Sequence, residues 1–150
     1  MESKKLKLKI ATPERVVYEA DADSVTCMTE LGEVSILPDH IPLVANLKAG
    51  ELRIIAAGPK KNIFVAGGFL EVRPGNEVVI LADAAEHVAE IDLSRAEEAK
   101  NRAKKAMAEQ TMGREEYATA AAALERSLAR LRVARKHRYK DAGKTLETIQ

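Results

Sequence analysis

Val78-Val79-Ile80-Leu81-Ala82-Asp83-Ala84-Ala85-Glu86-His87-Val88-Ala89-Glu90-Ile91-Asp92-Leu93-Ser94-Arg95-Ala96 is the stretch in which this chain changes period. Before it, short apolar runs alternate or punctuate at strand spacing; after it, alanines recur at helical spacing. A compact β module therefore joins a helical arm near Ile91.

Upstream, Lys5-Leu6-Lys7-Leu8-Lys9-Ile10 alternates with period two, which places the apolar residues on one face and the lysines on the other. Lysine guards exposed strands against stray pairing, so an edge strand is expected here. Further strands are expected at Val16 to Tyr18, Ser24 to Met28, Val34 to Leu37, Leu43 to Leu47, Leu52 to Ile55, Ile63 to Ala66, Phe69 to Val72 and Val78 to Leu81. Lys48-Ala49-Gly50, Gly58-Pro59 and Arg73-Pro74-Gly75-Asn76 supply the turn chemistry between them. Many short strands at this spacing predict a β-sandwich or flattened barrel over residues 1–90. Gly67-Gly68 lacks a following Lys-Ser/Thr pair and a spaced glycine series, so it predicts a bulge or close backbone approach rather than a phosphate loop.

Downstream, Ala96, Ala99, Ala103 and Ala106 form one stripe, and Tyr117, Ala121, Leu124, Leu128 and Leu131 form another. Facing each other, they predict an antiparallel α-helical hairpin over residues 91–140, giving an α+β chain. Ser94 with Glu97 fits a capping box and Asp92 offers an alternative cap. Gly113 suits a left-handed residue at the end of the first helix, and Arg135-Lys136-His137-Arg138 is expected to close the second. Residues 141–150 show no apolar period and are expected to fray. Four buried alanine methyls contribute about 3 kcal/mol, where four leucines would give about 6 to 12, so the hairpin is expected to be weakly held.

The chain has 150 residues, 46% hydrophobic and 31% charged, with aromatics at 3%. That is enough for one core with an appendage, and no apolar run approaches the roughly 18 residues of a membrane span. The opening Met1-Glu2-Ser3-Lys4-Lys5 is unlike a secretory signal, so a cytoplasmic location is expected. The net charge of +1 hides an asymmetry: residues 1–91 carry −4 and residues 92–140 carry +6. An acidic or phosphorylated partner is expected for the basic arm.

His40, His87 and His137 sit in no nucleophile-base or zinc-ligand pattern, and Cys27 lies in an alternating run as a small hydrophobe. No catalytic residue and no metal site are expected. A β-barrel nucleic-acid module with a basic helix is the alternative, weakened by the scattered placement of Tyr18, Phe64, Phe69, Tyr117 and Tyr139.

Five pieces in order resemble the epsilon subunit family of F-type rotary ATP synthases: Thr12-Pro13-Glu14, Gly32-Glu33-Val34-Ser35-Ile36-Leu37-Pro38-Asp39-His40-Ile41-Pro42-Leu43, Gly67-Gly68-Phe69-Leu70-Glu71-Val72, Leu81-Ala82-Asp83-Ala84-Ala85-Glu86, and Ile91-Asp92-Leu93-Ser94-Arg95-Ala96. The resemblance runs from Leu6 to about Val133. It implies a non-catalytic subunit of a proton-translocating ATP synthase, peripheral on the cytoplasmic face of the bacterial inner membrane. Its β-sandwich would bind the gamma subunit and the membrane rotor ring of c subunits. Its hairpin would extend along the stalk, reach the catalytic alpha and beta subunits and block ATP hydrolysis.

Site residues follow from the same resemblance. Glu33, Asp39 and His40 are candidates for the rotor and stalk interface; the flanking Pro38 and Pro42 predict a stiff extended loop, though a structural role accounts equally for His40. Glu86, Asp92, Arg95, Ala96, Arg126 and Arg130 match positions of relatives that bind ATP as a regulatory ligand. Arg126 and Arg130 are helical neighbours able to grip a polyphosphate, although a solvated basic face explains them without one. Arg132, Arg135, Lys136 and Arg138 are candidates for contacting an acidic partner. No cofactor is required, and neither nucleic acid nor membrane insertion is implied.

Overall fold

The computed structural model describes residues 2–109 and 112–148, with side chains described through Lys144. The chain divides into two compact units, 1–87 and 88–150.

Ten strands build the first unit: β1 (Leu6–Ala11), β2 (Val16–Ala22), β3 (Ser24–Thr29), β4 (Gly32–Ile36), β5 (Leu43–Leu47), β6 (Gly50–Ile55), β7 (Lys61–Val65), β8 (Gly68–Arg73), β9 (Glu77–Ala82) and β10 (Ala85–His87). They pair in the order β10-β7-β6-β3-β5-β8-β9-β1-β2, with β4 on β3. All pairs are antiparallel except β1 with β9. One core takes Leu6, Leu8 and Ile10 of β1 together with Leu52 and Ile54 of β6, strands far apart in the pairing order. A flat sheet cannot bring those side chains into contact, so the sheet folds onto itself as a sandwich or nearly closed barrel. Alternation sets the faces: Lys7 and Lys9 are exposed between the buried Leu6, Leu8 and Ile10, and a one-residue slip would exchange them.

β1 is not the edge strand expected from its lysines. It lies between β2 and β9, and β2 is the edge. Alternation reports which face of a strand meets water, and an interior strand of a one-sided sheet carries the same pattern. β10 also escaped the sequence, being three residues long.

Gly68 behaves as expected of a close approach. Its φ is 132°, and a Cβ there would overlap the Leu81 carbonyl oxygen while lying 2.8 Å from Ala82 Cα. Cys27 is buried, and desolvation, aided by the Glu33 charge, pushes its thiol up to about 11. At neutral pH it is an inert hydrophobe.

The second unit holds a short 3-10 turn (Val88–Glu90), α1 (Leu93–Met107) and α2 (Arg114–Thr148). Asp92 is the N-cap of α1, its carboxylate accepting from the Arg95 N–H at 3.2 Å. Ser94 is therefore a helical residue, and Glu97 serves other partners. Gly113 is not left-handed: α1 has already ended at Met107, and the Gly113 carbonyl starts α2 by accepting from the Tyr117 N–H at 3.0 Å. The stripe expected on α2 shifts as well. Tyr117 and Leu128 are 49% and 40% exposed, while Ala120, Ser127, Leu131 and Ala134 are buried. Alanine occupies so many positions between 118 and 123 that the apolar pattern could not select a face. Ser127 tolerates burial because its hydroxyl donates to the Ala123 carbonyl at 2.9 Å.

α2 does not close at Arg138. It continues through Gly143 to Thr148, so the tail expected to fray from Asp141 is helical as far as the described residues go. Gly143 costs about 1 kcal/mol relative to alanine, too little to stop a helix with no proline ahead.

Candidate functional sites

The first candidate surface lies on the β unit. Glu33 projects from β4 and pairs with Arg53 at 2.9 Å. Asp39 and His40 lie beyond the other end of β4, about 13 Å along the strand from its start. The structure thus separates Glu33 from the two loop residues. Each is accompanied by bare apolar side chains: Leu31 is 101% exposed at the β3–β4 tip, and Leu37 and Ile41 are 57% and 75% exposed around the loop. Uncovered large apolar groups beside charges are what a protein interface presents before its partner arrives.

The loop is not extended as its prolines suggest. Asp39 has φ 66°, and the His40 N–H donates to the Leu37 carbonyl at 3.2 Å, closing a tight turn. Proline restrains the residue before it, Leu37 or Ile41, and leaves Asp39 free to adopt the left-handed region. The His40 ring bonds the Ile41 carbonyl through Nδ1 at 2.7 Å.

The second candidate surface is the hairpin. Glu97 of α1 bonds Lys100 at 2.6 Å and also pairs with Arg135 of α2, tying the helices together near the start of α1. Hydrogen bonding from Lys100, then the Arg135 and Lys104 charges, hold the Glu97 carboxyl below its ordinary range. Arg135, expected to meet an external acidic surface, is thus already engaged within the hairpin. Arg132 and Arg138 are exposed, and Lys136 has a further interaction of its own. Farther along, Ala99, Ala103, Ala106, Ala120, Ala123 and Ser127 line a groove between α1 and α2 of about 650 Å³. Small side chains leave that space because they meet only at their methyls.

Of the residues matched to ATP binding, Asp92 and Arg95 are joined by the cap, Ala96 is buried, Arg126 is exposed, and Arg130 is half-buried one turn later on α2. Glu86 is half-buried in β10 of the other unit. The donor set fits a polyphosphate: two guanidiniums one turn apart supply cationic donors, and the Asp92 carboxylate is committed to backbone. Replacing Asp92 with alanine is expected to destabilise the hairpin by about 1 kcal/mol, whereas Ser94→Ala leaves it nearly unchanged. Urea titration of both variants, followed through α1 amide signals, checks this; equal losses would reassign the cap.

The β-sandwich domain model of the ATP synthase delta/epsilon chain matches residues 5–88, and the long α-helix domain model of the same chain matches residues 89–135. The chain belongs to the ATP synthase delta/epsilon family. It is 46% identical over 134 residues to the ATP synthase epsilon chain of Dehalococcoides mccartyi, covering 89% of this chain and 95% of that one. To the epsilon chain of Syntrophobacter fumaroxidans it is 44% identical over 134 residues, covering 89% and 98%. In fold it resembles a chain of the Euglena gracilis mitochondrial ATP synthase (TM-score 0.72, 23% identity, covering 83% and 78%). It also resembles a chain of the central stalk and c-ring assembly of Tetrahymena thermophila (TM-score 0.62, 14% identity, covering 89% and 99%). The expected family and the β-then-helical layout are thus both found. As an epsilon-type ATP synthase subunit, the chain carries the family's helical domain to residue 135 and continues α2 to Thr148.

Proposed function

We propose that this subunit sits in the central stalk of a bacterial F-type ATP synthase, couples the rotor ring to gamma through its β unit, and restrains ATP hydrolysis through its hairpin. The observation that carries the proposal is the family match across both units, joined to a hairpin whose buried side chains are mostly alanine, with Ser127, Leu131 and Val133 beside them. A seam with so little apolar area lets a partner of modest affinity shift it. The β unit supplies docking surfaces at Glu33 and at Asp39 and His40. The extended arm meets the catalytic alpha and beta subunits, with Arg132, Lys136 and Arg138 facing acidic groups there and Arg135 joining them once the opened hairpin frees it from Glu97. Individual solvated pairs are worth about 0 to 1 kcal/mol, so that contact is collective. The subunit obstructs rotation and performs no chemistry. It stays peripheral on the cytoplasmic face of the membrane, and no described helix is long and apolar enough to cross one.

Reconstitution tests the proposal. Added to a bacterial ATP synthase lacking its own epsilon chain, the protein is expected to co-purify with gamma and the ring and to slow ATP hydrolysis. Failure to join the complex would remove the proposal.

ATP is proposed as the regulatory ligand of the hairpin, held by Arg126 and Arg130, with Asp92, Arg95 and Ala96 shaping the start of α1. Hydrogen bonds to charged groups are worth about 1.5 to 3 kcal/mol each, so Arg126→Ala with Arg130→Ala is expected to weaken ATP binding at least tenfold. Titration calorimetry reads it, and an unchanged affinity in the double variant dismisses the site.

A further inference from the structure

Among the described residues two that are not glycine have left-handed backbones, Asp39 at φ 66° and Asn76 at φ 61°. Such residues are uncommon and persist where their surroundings hold them. Here they hold each other. The Asp39 N–H donates to the Asn76 side-chain carbonyl, Oδ1, at 2.6 Å across 37 residues of sequence. Asn76 closes the β8–β9 turn after Pro74 and Gly75, and its backbone carbonyl accepts from the Lys7 N–H at 2.8 Å, next to the start of β1. The Asp39 carboxylate meets Lys4 Nζ at 2.8 Å. Two segments far apart in the chain, the N-terminal stretch and the β8–β9 turn, converge on the loop that bears Asp39 and His40.

We propose that Asn76 is a positioning residue that clamps the Asp39–His40 loop in the turn it presents to the rotor and stalk. The interface part of this rests on the function proposed above; the clamp itself does not. Asparagine suits the position on two counts. It tolerates the left-handed region, and its side chain carries an acceptor that reaches a neighbouring backbone. Glycine would meet the first need alone, and aspartate meets both. The Lys4 pair is solvent-exposed and so adds little holding power of its own.

Asn76→Gly and Asn76→Asp in the full chain separate these roles. The glycine variant is expected to speed hydrogen exchange of the Asp39 amide roughly tenfold, as loss of one hydrogen bond allows, while core amides of β1 and β9 keep their protection. Its binding to the gamma–ring complex is expected to weaken with unchanged circular dichroism. The aspartate variant is expected to restore both the slow exchange and the binding. Unchanged exchange at Asp39 in Asn76→Gly overturns the clamp. Fast exchange with undiminished binding overturns its part in the interface. If the wild-type chain fails to join gamma and the ring, the proposed function falls and exchange alone decides the clamp.

Discussion

A chain ending at His87 is expected to fold, to assemble with gamma and the rotor ring, and to leave ATP hydrolysis uninhibited. The division between units falls at that residue, and the members of the β core, Leu6 to Ala82, all belong to the first unit. A domain of this size with a continuous core is near the lower range of those that fold alone. If inhibition is mechanical and resides in the arm, removing residues 88–150 should raise the hydrolysis rate of the reconstituted complex to that of a complex lacking the chain altogether. The effect is a full loss of inhibition rather than a graded one. Hydrolysis assays and co-purification on gamma, run side by side with the full chain, decide it. A truncated chain that assembles and still inhibits would place the brake in the β unit and refute the proposed role of the hairpin.

Gly68→Ala is expected to be the most damaging single methyl addition in the β unit. Two costs combine: the left-handed φ of 132° and overlap of the new Cβ with the backbone of β9 at Leu81 and Ala82. Backbone, unlike a flexible side-chain tip, cannot swing aside without breaking the β8–β9 ladder. Strain of this kind costs on the order of 1 to 3 kcal/mol, and overpacking adds about 1 to 3 more, so a loss of at least about 2 kcal/mol is expected. In a domain of this size that lowers the melting temperature by about 8 °C or more. Gly58→Ala is the control: φ is 99°, and open space surrounds its Cβ position, so only the conformational cost applies. Melting of the two variants by calorimetry separates overlap from backbone strain; equal losses would mean that β9 yields freely.

These outcomes trace back to different levels of the chain. Strand faces, the Gly67-Gly68 approach and the existence of two helices were legible because each is set within a few residues: alternation selects a face, and glycine permits a backbone no other residue accepts cheaply. The candidate site was legible only as a set of positions. Nothing local shows that Asn76 reaches Asp39, or that Arg135 is tied to Glu97.

By itself the sequence determined the β-then-α order, the acidic body with its basic arm, and the family, through five short motifs in register. Tertiary structure decided the rest. It made β1 an interior strand, chose Ala120, Ser127 and Ala134 over Tyr117 and Leu128 for burial, and turned Asn76 toward Asp39. Each of those choices depends on which distant segment lies alongside, and periodicity, a property of near neighbours, carries no information about that.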